Sequence, residues 1–326
     1  MQNGVFMPSI ITHDIFGTDV YEALYATIGG SRDESQAFLL GNQGPDPLFY
    51  AHIDPLLKRA HGLGSRMHRE QPAELLVAMR RAVSRLDESD RNIGRAYALG
   101  FLCHYLLDRT VHPFVYYHEH AICDAGVEGL DRDDRREVHA IIESEIDEML
   151  LFSKRQITVR DYNPGKQILR ASDHVLDVIS AMYVDVAEAV YGWDIPQNSF
   201  RASAKHMRSV QSRVFYSPRG LKREVLAKLE RLTRRHSFLA SMSHRDLEID
   251  ECPYDNIEHA EWTNPLTEET STASFQDLYD EAKGLAFEAI LAFESPSFGL
   301  EAAHKLTGNR NFAGELATAR IIKIED

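Results

Sequence analysis

Cysteine is scarce in this chain of 326 residues. The three present, Cys103, Cys123 and Cys252, are an odd set at irregular spacing with no CxxC pair, which excludes a disulfide framework. A reducing compartment is the reading that follows. Long apolar runs are missing too: no window reaches the roughly 18 uncharged apolar residues needed to cross a bilayer. Met1 to Asp14 lacks a basic n-region and an apolar stretch of useful length, so no signal peptide is expected. Together these absences predict a cytoplasmic protein. Positive charge is in the minority, with 36 Lys and Arg against 50 Asp and Glu and a formal net charge of -14. That disfavours long nucleic acids, whose binding needs clustered cations, and adhesion to anionic membranes. Nothing reads as an amphipathic membrane anchor.

Hydrophobic residues make up 44% and charged residues 26%, enough for a substantial ordered core. Periodicity is helical nearly throughout, and few stretches alternate, which predicts an all-α fold. Helices are expected over 18–28, with Asp19 near the start, and over 33–41. The segment 42–47, NQGPDP, is broken by its prolines and glycine. A helix should follow Pro72. Asp90 should cap a long helix from Arg91 to about His112, stopped by Pro113. Further helices are expected over 131–154, 166–191, 199–215 and 219–243. A long loop over 246–272 should follow, then a helix from the capping box of Ser274 and Asp277 to Phe293. A last short helix near 300–306 precedes an irregular tail. The linker at 155–165 separates residues 1–155, the histidine-rich half, from a helical half over 156–326. The two either stand apart or pack into one continuous bundle.

The 15 histidines are unevenly placed, with nine before residue 140. The helix over 91–112 is nearly apolar all round and should be buried. It nevertheless carries His104 and Asp108, four apart on one face, with His112 four further on. A buried aspartate without a partner costs several kcal/mol, so something must neutralise it. His139 and Glu143 repeat the spacing on the next strong helix. Imidazole nitrogen and carboxylate oxygen are ligands suited to zinc, and i,i+4 spacing lets two side chains reach one ion. For any single pair a structural ion pair is the commoner explanation. Two pairs and a fifth ligand turn the balance toward metal.

The run AYALGFLCHYLLDRTVHPFVYY resembles the central signature of the zinc-dependent phospholipase C family, which shares its fold and metal geometry with the S1/P1 nucleases. PSIITH (8–13) resembles the family's N-terminal histidine segment, and AFLLGNQGPDP (37–47) its GPDP loop. His68 in GLGSRMHRE resembles its isolated histidine, and His139 with Glu143 its HxxxE element. The order agrees across about 1–155. The resemblance implies an all-α, multi-helix phospholipase C/P1 nuclease-like bundle, here with extra C-terminal helices, and two or three clustered zinc ions. One ion would take Asp46, His68, His104 and Asp108. A second would take His112, His139 and Glu143. A third would take His13 with Asp108 bridging. Asp46 would be the catalytic residue that orients or deprotonates the attacking water. Secreted relatives complete the third site with the amine of a processed N-terminus. Without a signal peptide, that site is either weak or empty, or is completed by a start at Met7 with the methionine removed before Pro8.

The implied function is a metal-dependent hydrolase of a phosphate ester, a phospholipase C-like phosphodiesterase acting on a phospholipid head group or a small soluble ester. A nuclease or 3′-nucleotidase on the same zinc core is the second reading, and a non-catalytic, metal-stabilised helical binding protein the third. Manganese or iron also suits His and carboxylate donors. His118 and His120 read as solvated loop residues, His52 and His61 as surface, and Cys103, Tyr97 and Phe101 as core. Tyr105 reads as packing too, with the reach to approach the site as the alternative. Asn256, His259, Trp262 and Asn264, in a long loop, are either a lid over the metals or a connector anchored by Trp262.

Overall fold

The first helix, α1 (Ile10–Ile28), starts eight residues before the expected position. Polar Thr12, His13 and Asp14 hide the start in the sequence, and burial of Ile10, Ile11 and His13 explains it in the fold. Asp19 consequently lies mid-helix, where it accepts from Lys154 at 2.8 Å and from the Tyr279 hydroxyl at 2.9 Å. The structure is a computed structural model and describes residues 9–126, 132–230, 240 and 243–317. The expectation about Met1 or Met7 as the start lies outside them.

Ser31 and Glu34 form a capping box that opens α2 (Arg32–Gly41). After two 3-10 turns, Asp46–Ile53 and Pro55–Ala60, come α3 (Leu63–Arg69) and α4 (Pro72–Arg85). Then α5 (Arg91–Cys123) runs for 33 residues through the centre of the protein. Residues 96 to 108 of α5 are all buried, and α1, α2 and α4 pack around it. Its contact with α2 depends on glycine: a Cβ on Gly100 would lie 2.1 Å from the carbonyl oxygen of Phe38.

Pro113 does not end α5, contrary to expectation. A proline inside a helix forfeits one hydrogen bond and costs about 3 kcal/mol. Beyond it Phe114 and Val115 are only 1% and 2% exposed, and burying each such side chain contributes roughly 1.5–3 kcal/mol. Continued packing outweighs the lost bond, and Gly314 sits against the proline ring beside the Arg109 carbonyl that lacks its donor. His118 and His120 therefore stand on a helix, not on a loop. Asp90 occupies the N-cap position but makes no capping bond; it accepts from His174 instead, at 3.1 Å.

A 3-10 turn, Arg132–Asp134, leads into α6 (Arg135–Arg155). The single helix expected over 166–191 is two, α7 (Pro164–Gln167) and α8 (Asp173–Tyr191), because Ser172 caps the second through Val175 N–H. Next, α9 (Ser199–Val210) runs into a π-helical turn, Gln211–Phe215. Of the helix expected over 219–243, α10 (Leu221–Glu230) is described, and 231–239 and 241–242 lie outside the described residues. Two-residue strands, β1 (Trp262–Thr263) and β2 (Thr270–Ser271), pair antiparallel within the long loop. The expected capping box of Ser274 and Asp277 opens α11 (Phe275–Glu294), which packs along α5, and α12 (Leu300–Thr307) follows. Arg109 points away from the histidines and donates to the Leu306 carbonyl at the end of α12. The fold is all-α, and among the described residues no helix is long and apolar enough to cross a membrane.

Candidate metal centre

Four helices and one tight turn carry the eight residues singled out in the sequence. His13 comes from α1, His68 from α3, His104, Asp108 and His112 from α5, and His139 and Glu143 from α6. Asp46 opens the 3-10 turn after the Gly44-Pro45 bend. Gly44 has φ +48°, and a Cβ there would lie 2.1 Å from the His104 ring, so only glycine lets the turn pass over that imidazole. The donors form three groups: Asp46, His68 and His104; His13, His104 and Asp108; and His112, His139 and Glu143. Within each group the ligand atoms lie within 4.8 Å of one another.

The hydrogen bonding around the rings is directional. Nδ1 of His68 bonds the Gly64 carbonyl at 2.8 Å, that of His104 the Asn42 carbonyl at 3.1 Å, and that of His112 the Phe312 carbonyl at 2.8 Å. Nδ1 of His139 bonds the Glu119 carboxylate at 3.1 Å. A carbonyl only accepts, so the first three Nδ1 atoms carry the proton. The lone pair of each neutral ring is then on Nε2, facing the cluster.

What those Nε2 atoms face is carboxylate oxygen. His68 Nε2 lies 3.0 Å from Asp46 Oδ1, and His104 Nε2 3.3 Å from Asp108 Oδ2. Among the described residues none of these four buried atoms has an aligned hydrogen-bond partner, and Glu143 Oε2 lacks one too. Glu143 Oε1 stands 3.5 Å from His112 Nε2 and 3.2 Å from His139 Nε2. Buried polar atoms are nearly always bonded. Lone pairs that converge without bonding one another fit a cation held between them, so the residues present suit the metal the donor set implies.

Electrostatics point the same way. Burial holds the His104 pKa down to about 4, against the pull of Asp108. Burial also works to lower that of His139, but the carboxylates of Glu143 and Glu119 outweigh it and push it up to about 10. For Glu143 burial raises the pKa, while the charge of His139 and contact with His112 bring it down to about 2. Asp108 is held well below the usual carboxylate range; burial opposes this, and His104, His112 and His13 overcome it. Asp108 and Glu143 are therefore ionised and ready to ligate.

A small cleft, partly open to solvent, reaches this cluster. His13, Asp108, His112 and Glu143 line one side, and Leu107, Val111, Val115, Ile146 and Phe275 form an apolar wall.

Several contributors escaped sequence reasoning. Glu119 lies seven residues after His112 on α5, and an acidic residue on that face was the available signal. The Tyr116 ring packs against both His112 and His139, with centroids at 5.7 and 5.3 Å. Phe312, in the irregular tail, places its ring 4.8 Å from that of His68 as well as lending its carbonyl to His112. Cys103, Tyr97 and Phe101 are core as expected. Tyr105 is core packing too, as expected, and its hydroxyl donates to the Arg310 carbonyl at 2.7 Å rather than to a site residue. His118 packs on Phe114 and Tyr254. His52 is exposed, and His61 is half-buried with Nε2 on the Ala51 carbonyl. The loop residues act as a connector: Trp262 packs on Phe114 and Tyr117 and donates to the Ala273 carbonyl, while Asn256 and His259 bond within the loop.

Compared with known proteins, residues 12–191, more than half of the chain, match the family described as zinc dependent phospholipase C. No curated protein and no solved structure matches.

Proposed function

The chain belongs to the zinc-dependent phospholipase C family, and from that premise we propose that it is a cytoplasmic phosphodiesterase of the phospholipase C type. Asp46, His68, His104 and Asp108 hold one zinc ion, His112, His139 and Glu143 a second, and His13 with Asp108 a third. Manganese or iron would suit the same donors. When bound, the ions supply Lewis acidity toward a phosphoryl oxygen and lower the pKa of water.

The chain's own residues do the rest. Asp46, set between two prolines, keeps its Oδ1 free of hydrogen bonds and orients or deprotonates the attacking water. Carbonyls and Glu119 fix the ring orientations before any ligand arrives. The apolar wall of the cleft is suited chemically to the non-polar part of an ester. That wall has four aliphatic side chains and one ring, Phe275. It favours an apolar alcohol over a stacked nucleobase, which ranks phospholipid-type esters above nucleotides.

The observation that carries the proposal is the convergence of unbonded Nε2 and carboxylate oxygen atoms on common points. The test is metal content of protein purified without chelator or affinity-column metal, beside hydrolysis of bis-p-nitrophenyl phosphate. Two or three equivalents of zinc with chelator-sensitive turnover are expected. No bound metal and none taken up on reconstitution would sink the ligand assignments.

A further inference from the structure

The first turn of α1 carries His13 yet lacks a cap of its own. Ser9, at the N-cap, makes no side-chain capping bond, and the first turn holds no acidic residue. The N–H groups of a helix's first turn need acceptors when buried. Those of Ile11 and Thr12 find theirs on another helix: Asp147 Oδ2 accepts from Ile11 N–H at 3.1 Å and Asp147 Oδ1 from Thr12 N–H at 2.7 Å. The Thr12 hydroxyl adds a third bond to Oδ1 at 2.6 Å.

Asp147 is fully buried on α6, one turn beyond Glu143. Its fourth bond comes from the other half of the chain, where His244 Nε2 lies 2.8 Å from Oδ2. His244 is itself buried and belongs to neither the metal cluster nor its cleft. A carboxylate at a helix N-terminus is also favoured by the helix dipole.

The eight candidate ligands divide on this point. Four of the histidines have Nδ1 tied to a carbonyl or to Glu119, whereas among the described residues the Nδ1 of His13 meets only another imidazole, that of His104, at 3.2 Å. The His13 ring thus has no carbonyl or carboxylate behind it; its Nε2 faces Asp108 Oδ1 at 3.0 Å, across the metal position itself. The backbone immediately before it is pinned instead. We propose that Asp147, held by His244, is a positioning residue that sets His13 against Asp108 and thereby tunes the third metal position. This rests on the metal-centre reading above.

Asp147→Asn tests it. An amide presents one acceptor and one donor group, so it cannot accept all four bonds, and half the clamp fails. Zinc alone, titrated into the full-length metal-free chain, is the probe, with stoichiometry and affinity as readouts. Changes to residues that orient a metal ligand typically weaken metal binding about 10–100-fold. The expected result is a loss of that size confined to one ion, the same ion that His13→Ala abolishes, with the others bound as in wild type. In the His13→Ala background, Asp147→Asn should change nothing further. Thr12→Val, which removes the hydroxyl bond and keeps the backbone clamp, should give a smaller loss at the same ion. It decides the matter should Asp147→Asn fail to fold.

Wild-type affinity at every position in the Asp147 and Thr12 variants would overturn the proposal. So would an equal weakening of all ions, the mark of a merely structural role. A wild-type chain that binds no zinc at all would sink the metal-centre reading itself, before any variant is compared.

Discussion

Glu119 Oε2 sits 3.1 Å from His139 Nδ1 and turns the opposite nitrogen of that ring toward Glu143, 3.2 Å away. A carboxylate behind a ligating imidazole fixes both its tautomer and its direction. Glu119→Ala should therefore weaken zinc binding at the His112, His139 and Glu143 group by about 10–100-fold. Glu119→Gln, which retains an acceptor and loses the charge, should fall between. Competition titration with a chromophoric chelator measures both; unchanged affinity in the alanine variant would refute the orienting role.

Metal uptake should release protons. In the metal-free chain the His139 pKa stands at about 10, so the ring is protonated at neutral pH, and it must be neutral to ligate. Glu143, at about 2, is already ionised and adds no proton. Affinity at this group should then rise about tenfold per pH unit, up to the His139 pKa. The sign for folding is the opposite. A raised histidine pKa stabilises the metal-free fold fully below the unfolded value near 6.5, and that contribution is lost as pH rises through about 10. Calorimetry of zinc binding at pH 7 in two buffers of different ionisation enthalpy checks the release. Equal heats in both would contradict it.

Gly44→Ala should damage the centre without touching a ligand. The residue has φ +48°, and the new methyl would meet the His104 ring at 2.1 Å. The left-handed backbone alone costs roughly 1–2 kcal/mol with a side chain present, and the clash displaces the imidazole. Urea unfolding of the metal-free chain should show the stability loss, and zinc titration at least a tenfold loss of affinity. A variant that binds zinc as wild type would show that the turn can yield.

Chelation should lower thermal stability. A ligand that binds only the folded state stabilises it by about 4 kcal/mol when present at 1,000 times its Kd. Removing zinc also leaves Asp46 and Asp108 buried beside the unbonded ring nitrogens of His68 and His104. Melting with and without chelator, then with zinc restored, should show a drop in Tm and its recovery. Identical curves would count against a resident ion.

Much of this was legible in the sequence because it is local. The i,i+4 spacing of His104, Asp108 and His112, and of His139 and Glu143, places side chains on one face of any helix. The capping box at Ser274 announces itself within four residues. The family signature lies in the same first half, and the matched span 12–191 contains every residue it marks as a candidate ligand.

Local rules could not settle what lies across the chain. Propensity ends a helix at Pro113, but burial of Phe114 and Val115 carries it on, and so puts Glu119 behind His139. No pattern near His112 points to the Phe312 carbonyl, 200 residues away, nor any near Thr12 to Asp147. By itself the sequence determined that the chain is helical and which residues can ligate, since both follow from spacing and side-chain chemistry. The tertiary structure alone decided which acceptors turn each ring toward the cluster, because a hydrogen bond depends on distance and angle in space and not on separation along the chain.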